Sequence, residues 1–149
     1  MKKLLILFLL ASCTQIEPEL QSDPIDKELL VRLINKARTD GYGQYSSTTE
    51  ITWSELAEQA CVIQSSHMEQ TDEFAHTWSD GTNFFMRLKS VGFSGTGGEN
   101  IAWGQHGEEQ IIEAWLNSQG HCKNIMNPNY NSFAVSKNGV YWCMVLIRM

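Results

Sequence analysis

The chain is short of positive charge, of proline and of long apolar runs, and each shortage removes a class of function. Lysine and arginine together number 11, against 17 aspartates and glutamates. Nucleic-acid binding needs a basic patch, and capture by anionic headgroups needs a polybasic segment; this composition provides neither. The N-terminal apolar run, Leu4 to Leu10, falls far short of the ~20 residues that cross a bilayer. Two of the 3 prolines sit in the polar stretch 14–24, which therefore reads as a tether rather than as part of a folded body. No Ser/His/Asp arrangement is apparent. Gly95-Thr96-Gly97-Gly98 lacks the lysine and the spacing of a phosphate-cradling loop. There is no internal repeat and no low-complexity tract.

What is present begins with Lys2 and Lys3, the apolar run, and then Ala11-Ser12-Cys13. A basic start, a short apolar stretch and small residues make a secretory signal. Leu10-Ala11-Ser12-Cys13 resembles a bacterial lipobox. That resemblance implies cleavage before Cys13, a lipid on its sulfur, and a domain held in water beside a membrane. The competing reading is an ordinary signal peptide. Thr14 stands where an aspartate would retain the protein at the inner membrane, which favours an outer membrane where the cell has one. The chain thus divides into a signal peptide (1–12), a lipidated tether (13–25) and one domain (26–149). Without Lys2 and Lys3 the mature chain keeps 9 basic and 17 acidic side chains.

Cys61, Cys122 and Cys143 remain. An exported chain meets an oxidising compartment, so one disulfide is expected. Three cysteines allow three pairings and leave one over. Cys122–Cys143 is the preferred pair, with Cys61 a buried thiol among Ala60, Val62 and Ile63. A catalytic His121–Cys122 pair is disfavoured, because sequence neighbours rarely face each other.

Leu29, Leu30, Leu33, Ile34 and Ala37 recur with helical period over Asp26–Asp40, and Gly41 stops them. Asn35 and Arg38 flank this stripe and read as a solvated face. Thr52-Trp53-Ser54-Glu55 has capping-box spacing and starts a second helix, running to about Gln70. His67 on it reads as structural, with a local hydrogen bond. Thr82–Val91 and Glu108–Asn117 read as further helices, the first with Phe84, Phe85, Leu88 and Val91 inward. Gly120 and Pro128 bracket a compact loop or single turn. Phe133–Ser136 and Val140–Ile147 read as strands joined by an Asn-Gly hairpin turn. A strand-like Ile101-Ala102-Trp103 lies between the helices. Helices first and strands last make an α+β fold.

Set side by side, the motifs are Trp53-x-x-Leu56-x-x-x-Ala60, Phe74-Ala75-His76, Asp80-Gly81 with Arg87, Gly98-Glu99-Asn100-Ile101-Ala102, Trp115-x-x-Ser118-x-Gly120-His121, Asn124-Ile125-Met126-Asn127-Pro128 and Tyr141-Trp142. Their order resembles the bacterial branch of the CAP superfamily (SCP domain), from about Leu29 to Ile147. The resemblance implies a three-layer α-β-α sandwich with a small antiparallel sheet and a cleft of two histidines and two glutamates. By motif these are His76, Glu99 and His121. The second glutamate of eukaryotic members falls on Ser118, so the four-residue set is incomplete.

Two imidazoles and a carboxylate suit zinc with an open position for water; alternatively Glu99 orients an imidazole from behind, or the three lock the loops without metal. His76 and His121 are the candidate metal ligands, with Glu99 possible, and the three are also the catalytic candidates. Asn100, Asn124 and Asn127 read as loop staples. Trp103, Trp115 and Trp142 read as core. Phe84, Phe85 and Met86 line a lipid groove or pack inward. The resemblance leaves two function classes open. One is a monomeric, membrane-anchored extracytoplasmic binding or structural module, with a lipid or protein ligand and a His/Glu cleft able to hold a divalent metal. The other is a zinc-assisted, protease-like hydrolase.

Overall fold

The computed structural model describes residues 20–149. The signal-peptide and lipobox expectations, Cys13 included, lie outside the described residues. The elements are α1 (Lys27–Asp40), β1 (Thr52–Trp53), α2 (Glu55–Thr71), α3 (Phe84–Ser90), β2 (Gly97–Trp103), α4 (Glu108–Leu116), α5 (Gln119–Ile125), β3 (Ser132–Asn138) and β4 (Tyr141–Ile147). The sheet order is β1-β3-β4-β2. The three long strands are antiparallel, and β1 adds a two-residue parallel edge beside β3. The sheet is therefore mixed rather than wholly antiparallel.

β4 divides the core by parity. Trp142, Met144 and Leu146 pack with Leu30, Ile34, Ile111, Trp115 and Ile125 of α1, α4 and α5. Cys143, Val145 and Ile147 pack with Ala57, Ala60, Cys61, Met68 and Leu88 of α2 and α3. Helices thus cover both faces, which is the expected α-β-α sandwich within an α+β fold. Ala57, Ala60, Cys61 and Ser65 leave α2 a buried face of small side chains, which lets it lie close on β3 and β4.

Local chemistry moves several boundaries. Ser54, not Thr52, caps α2 by accepting from the Ala57 N–H, because Thr52 is drawn into β1 opposite Ser132. α3 buries Phe84, Arg87 and Leu88 and leaves Phe85 and Met86 outside. The stretch after Gly120 is helical, not a loop, with Cys122 and Ile125 facing the core. Trp115 and Trp142 are core as expected, whereas Trp103 is 62% exposed at the end of β2. The expected solvated face of α1 is not solvated at Arg38, which is fully buried. Asn35 exchanges two hydrogen bonds with the backbone of Ile51. His67 does make its local bond, to Glu73 at 3.0 Å, and stacks on Trp78.

The expected Cys122–Cys143 disulfide does not form. Cys61, Cys122 and Cys143 are all free and buried. Cys122 belongs to the core on the α1/α4/α5 face, and Cys143 to the core on the α2/α3 face. The sheet lies between them, and two cysteines so separated cannot bring their Cβ atoms within bonding reach. Residues 21–23, expected from the sequence to belong to a tether, dock on β3: the Asp23 N–H donates to the Lys137 carbonyl at 2.7 Å and the Asn138 amide donates to the Gln21 carbonyl at 2.7 Å.

Candidate functional site

The site is assembled at the open edge of the sheet, where β2 has β4 on one side only. The glycines before Glu99 are there for close approach. A Cβ on Gly98 would stand 3.1 Å from both the Asn124 amide oxygen and the Tyr130 hydroxyl, and one on Gly97 would meet the Leu146 carbonyl at 2.9 Å. Any larger residue would push β2 away from α5 and β4. Strand alternation then sends Glu99 toward α3 and Asn100 toward α5.

Glu99 is 8% exposed. Arg87 Nη2 donates to both its oxygens, at 2.9 and 2.8 Å. His76 Nδ1 lies 2.8 Å from Oε1. The segment carrying His76 is itself fixed: Gln64 donates to the Ala75 carbonyl at 2.8 Å, Trp78 Nε1 donates to the Gln64 side-chain oxygen at 2.8 Å, and Arg87 Nη2 donates to the His76 carbonyl at 3.0 Å. Arg87 therefore holds both the carboxylate and the backbone of the histidine that the carboxylate orients. Its position on the apolar side of α3, three residues after Phe84 and one before Leu88, was the available sequence signal; a single charge there reads as an exception until its partner is seen.

On the other side, the Asn100 amide donates to the His121 carbonyl at 3.2 Å, and the Asn124 amide donates to Asn100 Oδ1 at 2.8 Å and to the Glu99 carbonyl at 3.3 Å. Asn127 accepts from the Asn129 N–H at 2.9 Å. The three asparagines are the expected staples. Desolvation, with a smaller contribution from His76, holds His121 below its usual range, so its imidazole is neutral at pH 7 and has a lone pair to offer.

His76 and His121 line one open cleft of about 440 Å³, with Phe74, Trp103, Gln105 and Ser118 among the other walls. Ser118 thus occupies the cleft, where its motif position put it. Trp115 also borders it, and its buried Nε1–H has no partner among the described residues; the same holds for Gln105 Oε1. Glu99 does not open onto the cleft with them but lies behind His76. No group of three His, Cys, Asp or Glu side chains is placed to hold a metal among the described residues. A metal would find two imidazoles, one backed by a carboxylate. With Nδ1 of His76 engaged by Glu99, Nε2 is the nitrogen left for a ligand, which is how carboxylate-backed histidines bind metals.

The model of the cysteine-rich secretory protein family, CAP, matches residues 31–144. The protein YkwD of Bacillus subtilis is 36% identical over 96 residues, covering 62% of this chain and 37% of YkwD. The chain thus spans little more than a third of that relative. An extracellular SCP-domain protein of Bacillus anthracis superposes with a TM-score of 0.75 at 22% identity, over 83% of this chain and 40% of that one. An outer surface protein of Borrelia burgdorferi gives 0.68 at 16% identity, over 86% of this chain and 98% of its own.

Proposed function

The chain belongs to the cysteine-rich secretory protein (CAP) family, and from that premise we propose an extracytoplasmic binding module, held to a membrane through Cys13, whose ligand site is the His76–His121 cleft. The observation that carries this reading is the engagement of Glu99. A metal-assisted hydrolase of the usual kind needs three protein ligands and an acid–base group in reach of water. Here the carboxylate beside the histidines is buried, and both its oxygens are bonded to Arg87. What faces the cleft is a pair of imidazoles, an indole and a phenyl ring at the rim, and small polar groups. That set recognises and holds a ligand; its hydroxyl, Ser118, makes no side-chain hydrogen bond to a histidine or carboxylate among the described residues. Zinc, when bound, would supply Lewis acidity there, and His76 and His121 would be its protein ligands.

The alternative, a zinc-assisted hydrolase using His76, His121 and Glu99, draws support from the neutral His121 and the carboxylate-backed His76. Calorimetric titration of zinc into the full chain separates the two. The expected result is weak, reversible uptake of one ion, abolished in His76→Ala/His121→Ala. Tight stoichiometric zinc together with turnover of a protein substrate would replace the binding module by the hydrolase. The extracellular and outer-surface descriptions of the structural relatives support the extracytoplasmic placement. Membrane fractionation tests the anchor: Cys13→Ala is expected to move the protein into the soluble fraction, and a variant that stays with membranes refutes lipidation at Cys13.

A further inference from the structure

Behind the cleft, on the far side of Glu99, two thiols meet. Cys61, on α2, donates its S–H to the Ala134 carbonyl at 3.3 Å. Cys143, on β4, pairs with Ser136, two residues along β3 from that same Ala134, and donates its S–H toward Glu99 Oε2 at 3.9 Å. Both residues are completely buried within one core cluster. Cys122 has no access to either, being on the other face of the sheet. Burial, reinforced by Cys61, pushes the Cys143 thiol well up, and neither side chain reaches solvent in the folded chain. Any oxidation belongs to folding, before α2 closes over β4.

We propose that Cys61 and Cys143 are joined as a disulfide when the chain folds in the presence of a disulfide oxidant, tying α2 to the central strand directly behind Glu99. One thiolate attacks the oxidant's disulfide to give a mixed disulfide, and the second cysteine displaces it. Two S–H bonds are lost and one S–S bond forms. The two electrons and the two protons pass to the oxidant, whose S–S bond breaks to leave two thiols. The bond closes a long loop, from 61 to 143, and so disfavours the unfolded chain. It also removes the S–H that faces Glu99, leaving that carboxylate to Arg87 and His76 alone.

The test uses the full chain, unfolded with reductant in guanidinium and refolded in a mixture of reduced and oxidised glutathione. Alkylation under denaturing conditions and peptide mapping then read the pairing. The expected result is a linked Cys61–Cys143 peptide pair, an alkylated Cys122, and a Tm that falls by about 10 °C when reductant is added. Cys122→Ser is expected to leave the linked pair intact, and Cys61→Ser to leave Cys143 alkylated. Three alkylated cysteines in a chain that has regained its native circular dichroism overturn the proposal. So does a linked peptide that contains Cys122, or refolding that succeeds only without oxidant. None of these outcomes depends on where the protein resides in the cell or on what its cleft binds.

Discussion

Arg87→Met is expected to destabilise the folded chain by about 3–5 kcal/mol, the usual result of breaking a buried ion pair from one side. The Arg87 and Glu99 side chains are 1% and 2% exposed, so water cannot replace the lost partner. Methionine fills much of the space but leaves a buried carboxylate with His76 and a distant Cys143 thiol as its side-chain partners. In urea, with a slope of about 2 kcal/mol/M for a chain of this size, the midpoint should fall by roughly 2 M. Glu99→Leu should cost a similar amount, because it strands the guanidinium. The double variant Arg87→Met/Glu99→Leu should recover most of the loss, since a well-packed apolar pair is often as stable as the ion pair it replaces. It should not recover zinc uptake, because His76 has lost the carboxylate that orients it. Single variants that cost less than about 1 kcal/mol would show that the pair is solvated and that Glu99 is free for the cleft after all.

The second large effect is expected at Arg38. Its Nε donates to the Thr49 carbonyl at 2.7 Å, Nη1 to those of Ile125 and Asn127 at 2.5 and 3.1 Å, and Nη2 to that of Tyr130 at 3.2 Å. No carboxylate shares the site with it among the described residues. Burial pulls the guanidinium below its usual range, and the carbonyls, two of them at the C-terminal end of α5, stand in for a counter-charge. Arg38→Met keeps the aliphatic stem and strands four acceptors. At ~1–3 kcal/mol for each that stays dry, a loss of about 3–5 kcal/mol is expected. For a domain of this length that is a Tm lower by ten degrees or more. Arg38→Lys should recover only part of it, since a single ammonium cannot span the fork. Because α5 carries His121, hydrogen exchange should quicken along Gln119–Ile125 in the variant. A melting point within two degrees of the parent would reduce Arg38 to a passenger.

These two arginines also mark where the sequence stops being readable. α1 and α4 are amphipathic surface helices, and their apolar stripes showed both their extent and their buried faces. That His76, Glu99 and His121 gather around one edge is what the family resemblance implied, residue by residue through its motifs. Charged residues are read as solvent-facing because most are; only the positions of distant carbonyls, or of a carboxylate twelve residues away, reveal that Arg38 and Arg87 are internal. The cysteines failed for another reason. β4 is apolar on both faces, Trp142-Cys143-Met144-Val145-Leu146-Ile147, so no alternation says which side Cys143 faces. Without that parity, Cys122 and Cys61 are indistinguishable as partners. β1 is only two residues long, and α5 is a seven-residue helix opened by Gln119-Gly120; neither is long enough to impose a period on the sequence.

The sheet has two free margins, and they are closed to strangers in different ways. β1 offers just Thr52 and Trp53, too little for a foreign strand to grip. β2 is seven residues long and would be the natural template for polymer growth. It carries an acid turned inward at its middle, the Glu99 carbonyl is already taken by Asn124, and the chain leaves through Gly104 at φ +90. A second molecule docking edge to edge would have to displace that amide and lie against a helix, a histidine loop and a turned-away end. An edge guarded in this way is a poor template for fibril growth.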